Sequence, residues 1–317
     1  MGVFVIRRLI GMVLVLFAVS FITYLIFIKI PGGDPAQRIA GKLATAQNIA
    51  DIRLKLGLNH PFYVQYYDMM KQIFERKLVS YQSQLNVVGQ IEEGLPATFS
   101  LAIGAGIIWL FFGIVVGTIS AITAGRLSDR LITVLALIGI SMPVFWLGIV
   151  GRYLLAENHP FGFLPDSGYV PITQSPVQWA YHLIMPWFVL AVLFIGFYGR
   201  VLRSTVLDTI NEDYVRTARA KGISYRRLLV RHVLRNSLIP IVTLFGLDFA
   251  AVLGGGAILT ETVFQLQGVG QYAAMSITTL DLPPIMAVTI YATFFIVVFN
   301  FLVDLLYAWL DPRIRPA

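Results

Sequence analysis

The sequence predicts an all-α integral membrane protein that crosses the bilayer six times, and two observations lead to that fold class. First, 57% of the 317 residues are hydrophobic and 13% are charged, against about 25% charged residues in soluble domains. Second, long apolar runs recur without a polar/apolar alternation, which favours helices over a β-barrel. The chain has no cysteine, so it holds no disulfide, thiolate nucleophile or cysteine-ligated metal.

Six apolar runs are each long enough for a helix to cross the hydrocarbon, which takes about 20 residues. The first continues beyond Ala18-Val19-Ser20, a weak match to a signal-peptide cleavage site, and this favours an uncleaved span over a signal peptide. Pro143 and Pro186 predict kinks in the third and fourth spans. The predicted spans are residues 9–30, 96–124, 131–155, 178–202, 238–264 and 284–310.

The distribution of positive charge predicts the orientation of these spans. The short loops 156–177 and 265–283 contain no Lys or Arg. Because Lys and Arg of short loops are retained in the cytoplasm, both loops are predicted to lie outside and both termini inside. Segment 31–95 is then extracytoplasmic and segment 203–237 is a cytoplasmic loop. The basic residues predicted to lie inside are Arg7, Arg8, Arg126, Arg130, Arg200, Arg203, Arg216, Arg219, Lys221, Arg226, Arg227, Arg231, Arg235, Arg313 and Arg315.

The extracytoplasmic segment 31–95 contains patterns of local structure. Pro31-Gly32-Gly33-Asp34-Pro35 predicts a turn, and the apolar residues before Gly57 predict a short helix. The aromatic-rich run 62–74 predicts a helix at the outer surface. The segment is interpreted either as a cap over the transmembrane bundle without ligand contact or as a surface that contacts a ligand.

A strongly basic stretch from Asn211 to Arg235 interrupts the apolar sequence and predicts two short helices joined at a glycine hinge. Asp213 suits the positive end of the first helix dipole. Gly222 stands where a helix ends in a left-handed residue, and Ser224 is a suitable N-cap for the second helix. The stretch is interpreted as a docking element for a partner protein or, alternatively, as a basic helix that contacts anionic lipid.

One face of the first helix is predicted to carry Tyr214, Thr217, Ala218 and Lys221, which follow the i, i+3, i+4, i+7 spacing. The small side chain of Ala218 allows another surface to approach closely. This face is therefore the predicted docking face.

Three carboxylates lie within or near the spans, where a charge is costly and rarely faces lipid. Asp248 is predicted either to line a substrate path or to form a structural hydrogen bond with a neighbouring helix. Glu261 is predicted to anchor the outer end of its helix, and Asp304 to hold helix ends together near Arg313. The histidines are scattered and no catalytic grouping is legible. The sequence also lacks GxxxxGK[ST], the loop that cradles nucleotide phosphates.

The stretch DYVRTARAKG, followed by RHVLRNSLIP, resembles the cytoplasmic loop of ABC-importer permeases, specifically first-subunit members of the dipeptide/oligopeptide permease family. The general importer motif is Glu-Ala-Ala, three residues, Gly, nine residues, Ile-x-Leu-Pro. Its second Ala, Gly and Leu correspond to Ala218, Gly222 and Leu234, and its other named positions are replaced by Arg216, Thr217, His232 and Arg235.

The resemblance covers nearly the whole chain. Further matching stretches are PGGDP, LGLNHPFYVQY, LPATFSLA, SMPVFWLG, FLPDSGY and NFLVDLLYAWLDPRIRP. The chain departs from the family at residues 265–270, where Pro-Gly-x-Gly is usual, and at Leu282, where Tyr is common before Pro283. Both departures lie in the outer loop before the last span.

This resemblance implies a type I importer permease that forms the translocation path for di- or oligopeptides across the cytoplasmic membrane. A permease for another solute, such as a nickel chelate or glutathione, and an ion-coupled secondary transporter are the alternatives. The implied partners are a second homologous permease, ATP-binding subunits that hold ATP and Mg, an extracytoplasmic peptide-binding protein and membrane lipid, with no nucleic acid. The chain itself is expected to have no catalytic residue or metal. The residues implied to couple to the ATP-binding subunit are Asp213, Tyr214, Arg216, Thr217, Ala218, Arg219, Lys221 and Gly222.

Overall fold

A computed structural model of the chain describes residues 2–29, 35–40, 45–55, 57–157 and 161–310. The turn predicted at 31–35 falls mostly outside these ranges, and Arg313 and Arg315 lie outside them. The helices are α1 (Gly2–Lys29), α2 (Pro35–Ala40), α3 (Ala46–Lys55), α4 (Phe62–Phe74), α5 (Val87–Ile122), α6 (Leu127–Ser141), α7 (Val144–Leu155), α8 (Pro176–Thr209), α9 (Asp213–Ala220), α10 (Tyr225–Leu228), α11 (Arg235–Ala251), α12 (Ile258–Phe264), α13 (Val269–Thr279) and α14 (Leu282–Leu310).

The predicted all-helical membrane fold is confirmed. Five helical stretches are long and apolar enough to cross a bilayer, and α6 with α7 makes a sixth when the bent pair counts as one span. The five stretches are Ile6–Ile26, Val87–Ile122, Pro176–Thr209, Tyr225–Gly256 and Leu282–Leu305.

The third span is broken at its proline. The sequence predicts one kinked span over 131–155, but α6 and α7 meet at an angle of 99°. Met142 is extended, with ψ 127°, as residues before proline usually are. Pro143 follows it as the N-cap of α7. The predicted kink at Pro143 is therefore confirmed as a full break, whereas α8 continues through Pro186 without interruption.

The fifth span differs from the prediction at both ends. Its helix begins at Tyr225 and continues to Gly256 through two π-helical turns, at Leu229–Leu234 and Val252–Gly256. Gly255 has φ +123°, a conformation that side-chain-bearing residues rarely adopt, and the helix breaks there. The segment predicted as the outer end of this span is the separate helix α12.

Helices α5 and α8 form the centre of the bundle, and glycines bring them together. A Cβ at Gly117 would lie 2.8 Å from the carbonyl oxygen of Gly199, so only a glycine permits this approach. Trp109 of α5 is fully buried and stacks on Phe194 of α8, with ring centroids 4.4 Å apart. A Cβ at Gly113, one turn earlier, would lie 2.7 Å from the Cβ of Tyr198, so the two glycines form a packing seam between α5 and α8.

The segment between the first two spans packs onto the ends of α1 and α14. Tyr66 and Ser20 share a hydrogen bond of 2.7 Å between their hydroxyls. The Asp281 carboxylate accepts hydrogen bonds from the backbone N–H groups of Tyr81 and Gln82, at 3.1 and 3.3 Å. Burial, with a smaller contribution from Asp281, raises the pKa of Tyr81 to about 12. The described part of this segment is a cap on the bundle.

Candidate functional site

Helix α9 stands between the end of α8 and the start of the helix Tyr225–Gly256, and it is amphipathic. Val215 and Ala218 are buried against the rest of the chain, with 0% and 7% of their surface exposed. The remaining predicted docking residues are exposed. We call the exposed residues of this set other than Gly222 the α9 surface: Asp213, Tyr214, Arg216, Thr217, Arg219 and Lys221.

The burial of Ala218 corrects one sequence prediction. Its small side chain was expected to admit an external partner, but the surface that approaches it belongs to this chain. Val215 and Ala218 are three residues apart and lie on the same side of α9, and the other residues of the helix are exposed. The helix therefore presents one apolar face inward and its polar residues outward. A docking partner would meet the polar side.

Gly222 ends α9 in the conformation that the sequence predicts. Its φ is +77°. Its N–H donates to the carbonyl of Arg219 at 3.0 Å, and the N–H of Ile223 donates to the carbonyl of Ala218 at 3.4 Å. This pair of bonds is the Schellman arrangement, which satisfies the last carbonyls of a helix. Ser224 occupies the next N-cap, as predicted, although its side chain makes no capping hydrogen bond.

Hydrogen bonds hold α9 and its neighbours in a fixed corner. The Tyr214 hydroxyl accepts from the Asn236 side-chain amide at 2.6 Å and donates to the His232 carbonyl at 3.4 Å. The Ser237 hydroxyl lies 3.2 Å from the carbonyl of Thr205 and 3.1 Å from the Thr209 hydroxyl. The prediction of a separate second short helix is wrong, because the helix that begins at Tyr225 continues into the fifth span. Ser237 ties this helix to α8.

The α9 surface is polar and mostly positively charged. Asp213 and Arg216 form an ion pair of 3.7 Å, but their side chains are 98% and 68% exposed, so the pair adds little stability. Arg219 and Lys221 have no ionic partner among the described residues. The charge of these two cationic groups is therefore not neutralised by the described part of the chain.

Asp248 lies apart from this corner, within the fifth-span helix. Its Oδ2 accepts a hydrogen bond of 2.7 Å from the Tyr198 hydroxyl of α8. Tyr198 in turn packs beside the buried indole of Trp109, with centroids 6.5 Å apart. Of the two sequence interpretations, the hydrogen bond to a neighbouring helix is present. The role in a substrate path stays a prediction.

One charged cluster was missed by sequence reasoning. Asp129 at the start of α6 is buried and accepts two hydrogen bonds of 2.8 Å from the Arg203 guanidinium. The Ser120 hydroxyl and the Gly125 N–H also donate to it, at 2.5 and 2.9 Å. This cluster joins the α5–α6 turn to α8 a short distance before α9. The sequence signal was the acidic residue among the basic residues of a short loop.

Two further carboxylates have structural partners. Glu261 is fully buried and accepts from the Thr98 hydroxyl at 2.8 Å and from the Gln271 N–H at 2.9 Å. It thereby anchors α12 to α5 and to the first turn of α13, in keeping with the predicted anchoring role. Asp304 pairs with Arg8 of α1, and its predicted neighbour Arg313 lies outside the described residues.

No grouping of three or more His, Asp or Glu side chains suited to a metal ion is found within the described ranges. His159 lies outside those ranges.

Comparison with known proteins identifies the family. Residues 113–316 match the family described as binding-protein-dependent transport system inner membrane component, and residues 1–102 match the corresponding N-terminal family. A probable peptide ABC transporter permease protein of Sinorhizobium fredii is 37% identical over 99% of this chain and 100% of its own length.

Two other relatives are similar over comparable lengths. A probable D,D-dipeptide transport system permease protein of Escherichia coli is 38% identical over 97% of this chain and 96% of its own. A glutathione transport system permease protein of Salmonella typhimurium is 36% identical over 98% of each. The match extends along the whole chain, including the α9 corner, and it agrees with the motif resemblance and the apolar helices. The chain therefore belongs to the binding-protein-dependent inner membrane components, the multi-pass permease subunits of ABC importers.

Proposed function

We propose that this chain forms one half of the translocation path for di- or oligopeptides in an ATP-driven importer of the cytoplasmic membrane. The observation that supports this proposal most directly is the α9 surface, the exposed polar side of a helix that is hydrogen-bonded to the fifth-span helix, which in turn is hydrogen-bonded to α8. Relatives with peptide and dipeptide permease names support the substrate class. A homologous permease subunit supplies the other half of the path.

In this proposal an ATP-binding subunit docks on the α9 surface. ATP and Mg are held by that subunit, since the chain has no phosphate-binding loop of its own. Movement of α9 is passed to the fifth-span helix through Tyr214, which bonds to the His232 carbonyl, and from that helix to α8 through Ser237, which bonds to the Thr205 carbonyl. Nucleotide binding then biases a bundle that has an outward-open and an inward-open state.

Orientation follows from the positive-inside rule. Both termini and the α9 surface are placed in the cytoplasm, and the cap on the bundle is placed outside. An extracytoplasmic peptide-binding protein delivers the solute on that outer side. A single cysteine placed at Arg219 tests this directly, because the chain has no other cysteine.

The Arg219→Cys variant is expected to cross-link to the ATP-binding subunit in the assembled importer and to react with thiol reagents only from the cytoplasmic side. A cysteine at Phe111, an exposed apolar position of α5, is the matched control and should not cross-link to that subunit. Labelling of Arg219→Cys from outside, or equal cross-linking from Phe111→Cys, would refute the assignment.

Substrate class is tested with the complete importer and its binding protein in proteoliposomes. Uptake of a labelled dipeptide is expected only with ATP and to exceed uptake of glutathione or a nickel chelate. Preferential uptake of either of those solutes would support the corresponding alternative. Dipeptide uptake without ATP but with a proton gradient would instead indicate an ion-coupled transporter.

Asp248 is proposed to line the path. The Asp248→Asn variant keeps an oxygen that can accept from the Tyr198 hydroxyl but removes the negative charge. It is expected to assemble normally and to change the KM or the substrate range of uptake. The Tyr198→Phe variant removes the hydrogen bond and keeps the charge, which separates the two roles. Unchanged uptake kinetics in Asp248→Asn would exclude Asp248 from the path.

A further inference from the structure

A groove runs along the seam between α1 and α14, and none of its lining residues belongs to the α9 surface. It encloses about 570 Å³ and is lined mainly by apolar side chains, with Arg7 and Arg8 at one end. These arginines stand at the beginning of the apolar stretch Ile6–Ile26, so they lie where a span meets the membrane interface. The groove therefore has mainly apolar walls and a positively charged end at the level of the lipid headgroups.

The positive charge at the arginine end of the groove is only partly neutralised by the described part of the protein. Arg8 forms an ion pair with Asp304 of α14. Arg7 is exposed and has no ionic partner among the described residues. The three groups together carry one net positive charge, which complements one anionic group.

Gly11 shapes the apolar part of the groove. It follows Arg8 by three residues and Arg7 by four, so it lies on the same side of α1. A Cβ built at Gly11 would have nothing within 4 Å, and the space beside it is open. Val15 and, across the seam, Ile296 continue the apolar lining. An acyl chain is the natural occupant of such a space in a membrane.

We propose that this groove binds one anionic phospholipid, with its phosphate at Arg7 and Arg8 and an acyl chain beside Gly11. Basic pockets between spanning helices recognise lipid headgroups through the same combination of cationic side chains and apolar walls. The lipid would hold α1 against α14 at the interface. This proposal does not depend on the substrate or on the ATP-binding subunit.

The experiment measures lipid retention by the complete importer, purified from nanodiscs that contain phosphatidylcholine and phosphatidylglycerol. Native mass spectrometry counts the bound phosphatidylglycerol. The Gly11→Leu variant is the sharpest test, because the open space at the Cβ position lets a leucine side chain extend into the groove, and leucine favours the helix. Gly11→Leu is expected to lose the lipid. Arg7→Ala is expected to bind it about fivefold more weakly, in line with the usual contribution of one basic residue.

Arg130→Ala is the matched control, since Arg130 is an exposed arginine near the start of α6 and outside the groove. It is expected to retain phosphatidylglycerol as the unmodified chain does. Retention by Gly11→Leu, equal loss from Arg130→Ala, or equal retention of phosphatidylcholine would overturn the proposal. A cysteine at Gly11 that cross-links to the second permease subunit would also overturn it, because a protein helix would then fill the groove.

Discussion

Gly222 sets the angle between α9 and the fifth-span helix through its backbone alone. Its φ is +77°, and a Cβ there would meet nothing within 4 Å. A β-branched residue would therefore strain the backbone, by about 1–2 kcal/mol, without a steric clash. We expect Gly222→Val to lower the amount of solute transported per ATP hydrolysed, measured by uptake and ATPase rates on the same proteoliposomes.

The control for this prediction is Gly222→Asn, because asparagine tolerates the left-handed conformation. It should keep the ratio of uptake to ATP hydrolysis close to that of the unmodified importer. Normal coupling in Gly222→Val would show that the hinge conformation is unimportant for coupling.

Glu261 offers a second test at a single residue. Its two carboxylate oxygens each accept a hydrogen bond, one from Thr98 and one from the Gln271 N–H. In Glu261→Gln, an NH₂ group would replace one acceptor and face a donor in a buried site. We expect the variant to lower the stability of the purified complex by about 1–3 kcal/mol, seen as a lower unfolding temperature.

The matched change is Glu93→Gln, because Glu93 is an exposed residue of α5 in the same part of the chain. It should leave the unfolding temperature unchanged. Equal unfolding temperatures for Glu261→Gln and the unmodified complex would mean that loss of one of these acceptors costs no stability, and the anchoring role would fail.

Whether the contacts of a single residue can be predicted from the sequence depends on how far its partner lies along the chain. The conformation of Gly222 is readable because a helix end is a local matter of a few residues. Among the described residues the partner of Asp304 is Arg8, which lies 296 residues away in the chain, and Arg313, near which Asp304 was expected, lies outside those residues. The bond from Arg203 to Asp129 joins positions 74 apart. No local pattern specifies such pairs, because the packing of whole helices brings them together.

Between elements, the Asp129–Arg203 cluster ties the α5–α6 turn to α8. Asp129 is almost fully buried, and Arg203 binds it through two parallel hydrogen bonds. Removal of the guanidinium leaves a buried carboxylate without its counter-charge, which is far costlier than loss of an exposed pair. We expect Arg203→Ala to lower the unfolding temperature of the complex clearly, and Arg203→Lys to recover part of the loss.

The comparison variant is Arg76→Ala, since Arg76 pairs with Glu92 on the surface, where 70% and 47% of the two side chains are exposed. An exposed pair contributes about 0–1 kcal/mol, so this change should have a small effect. Equal decreases in unfolding temperature for Arg76→Ala and Arg203→Ala would show that the buried Asp129 cluster contributes no more to stability than the exposed pair.

The number of spans was predictable from the sequence, but the residues at which they begin and end were predictable only in part. Hydrophobicity locates the apolar centre of each span, but α5 begins at Val87 rather than near residue 96, because the Asn86 side chain caps it with a 2.8 Å bond from Gly89. The proline in span three predicted a kink. The 99° angle between α6 and α7 was not predictable, since packing against other helices determines it.

At the scale of the whole molecule, the fold class followed from composition and apolar runs, and the motifs indicated the family. What the sequence did not reveal is that the second half of the basic stretch is continuous with a membrane span. Basic residues suggested a separate surface helix there, yet these exposed residues form the beginning of the helix Tyr225–Gly256, which continues into the bundle. This continuity makes the α9 corner one body with α8 and the fifth-span helix, and it leads to a prediction about motion.

The two helices that leave the corner should move together during transport. Ser237 and Thr205 contact each other through two side chain-to-carbonyl hydrogen bonds, of 3.2 and 3.3 Å. Cysteines at these two positions, joined by a short thiol-reactive linker, are expected to leave ATP-driven uptake close to its level before linking. The chain has no native cysteine, so the linker joins only the intended pair within it.

A flexible corner predicts the opposite result, because relative motion of α8 and the fifth-span helix would then be part of the cycle. Loss of uptake on linking, with recovery when a cleavable linker is cut, would show that the helices separate during transport. The control is a single cysteine at Thr205 treated in the same way, which carries the modification without the bridge. Retained uptake in both would mean that force applied at the α9 surface reaches the bundle through one rigid body.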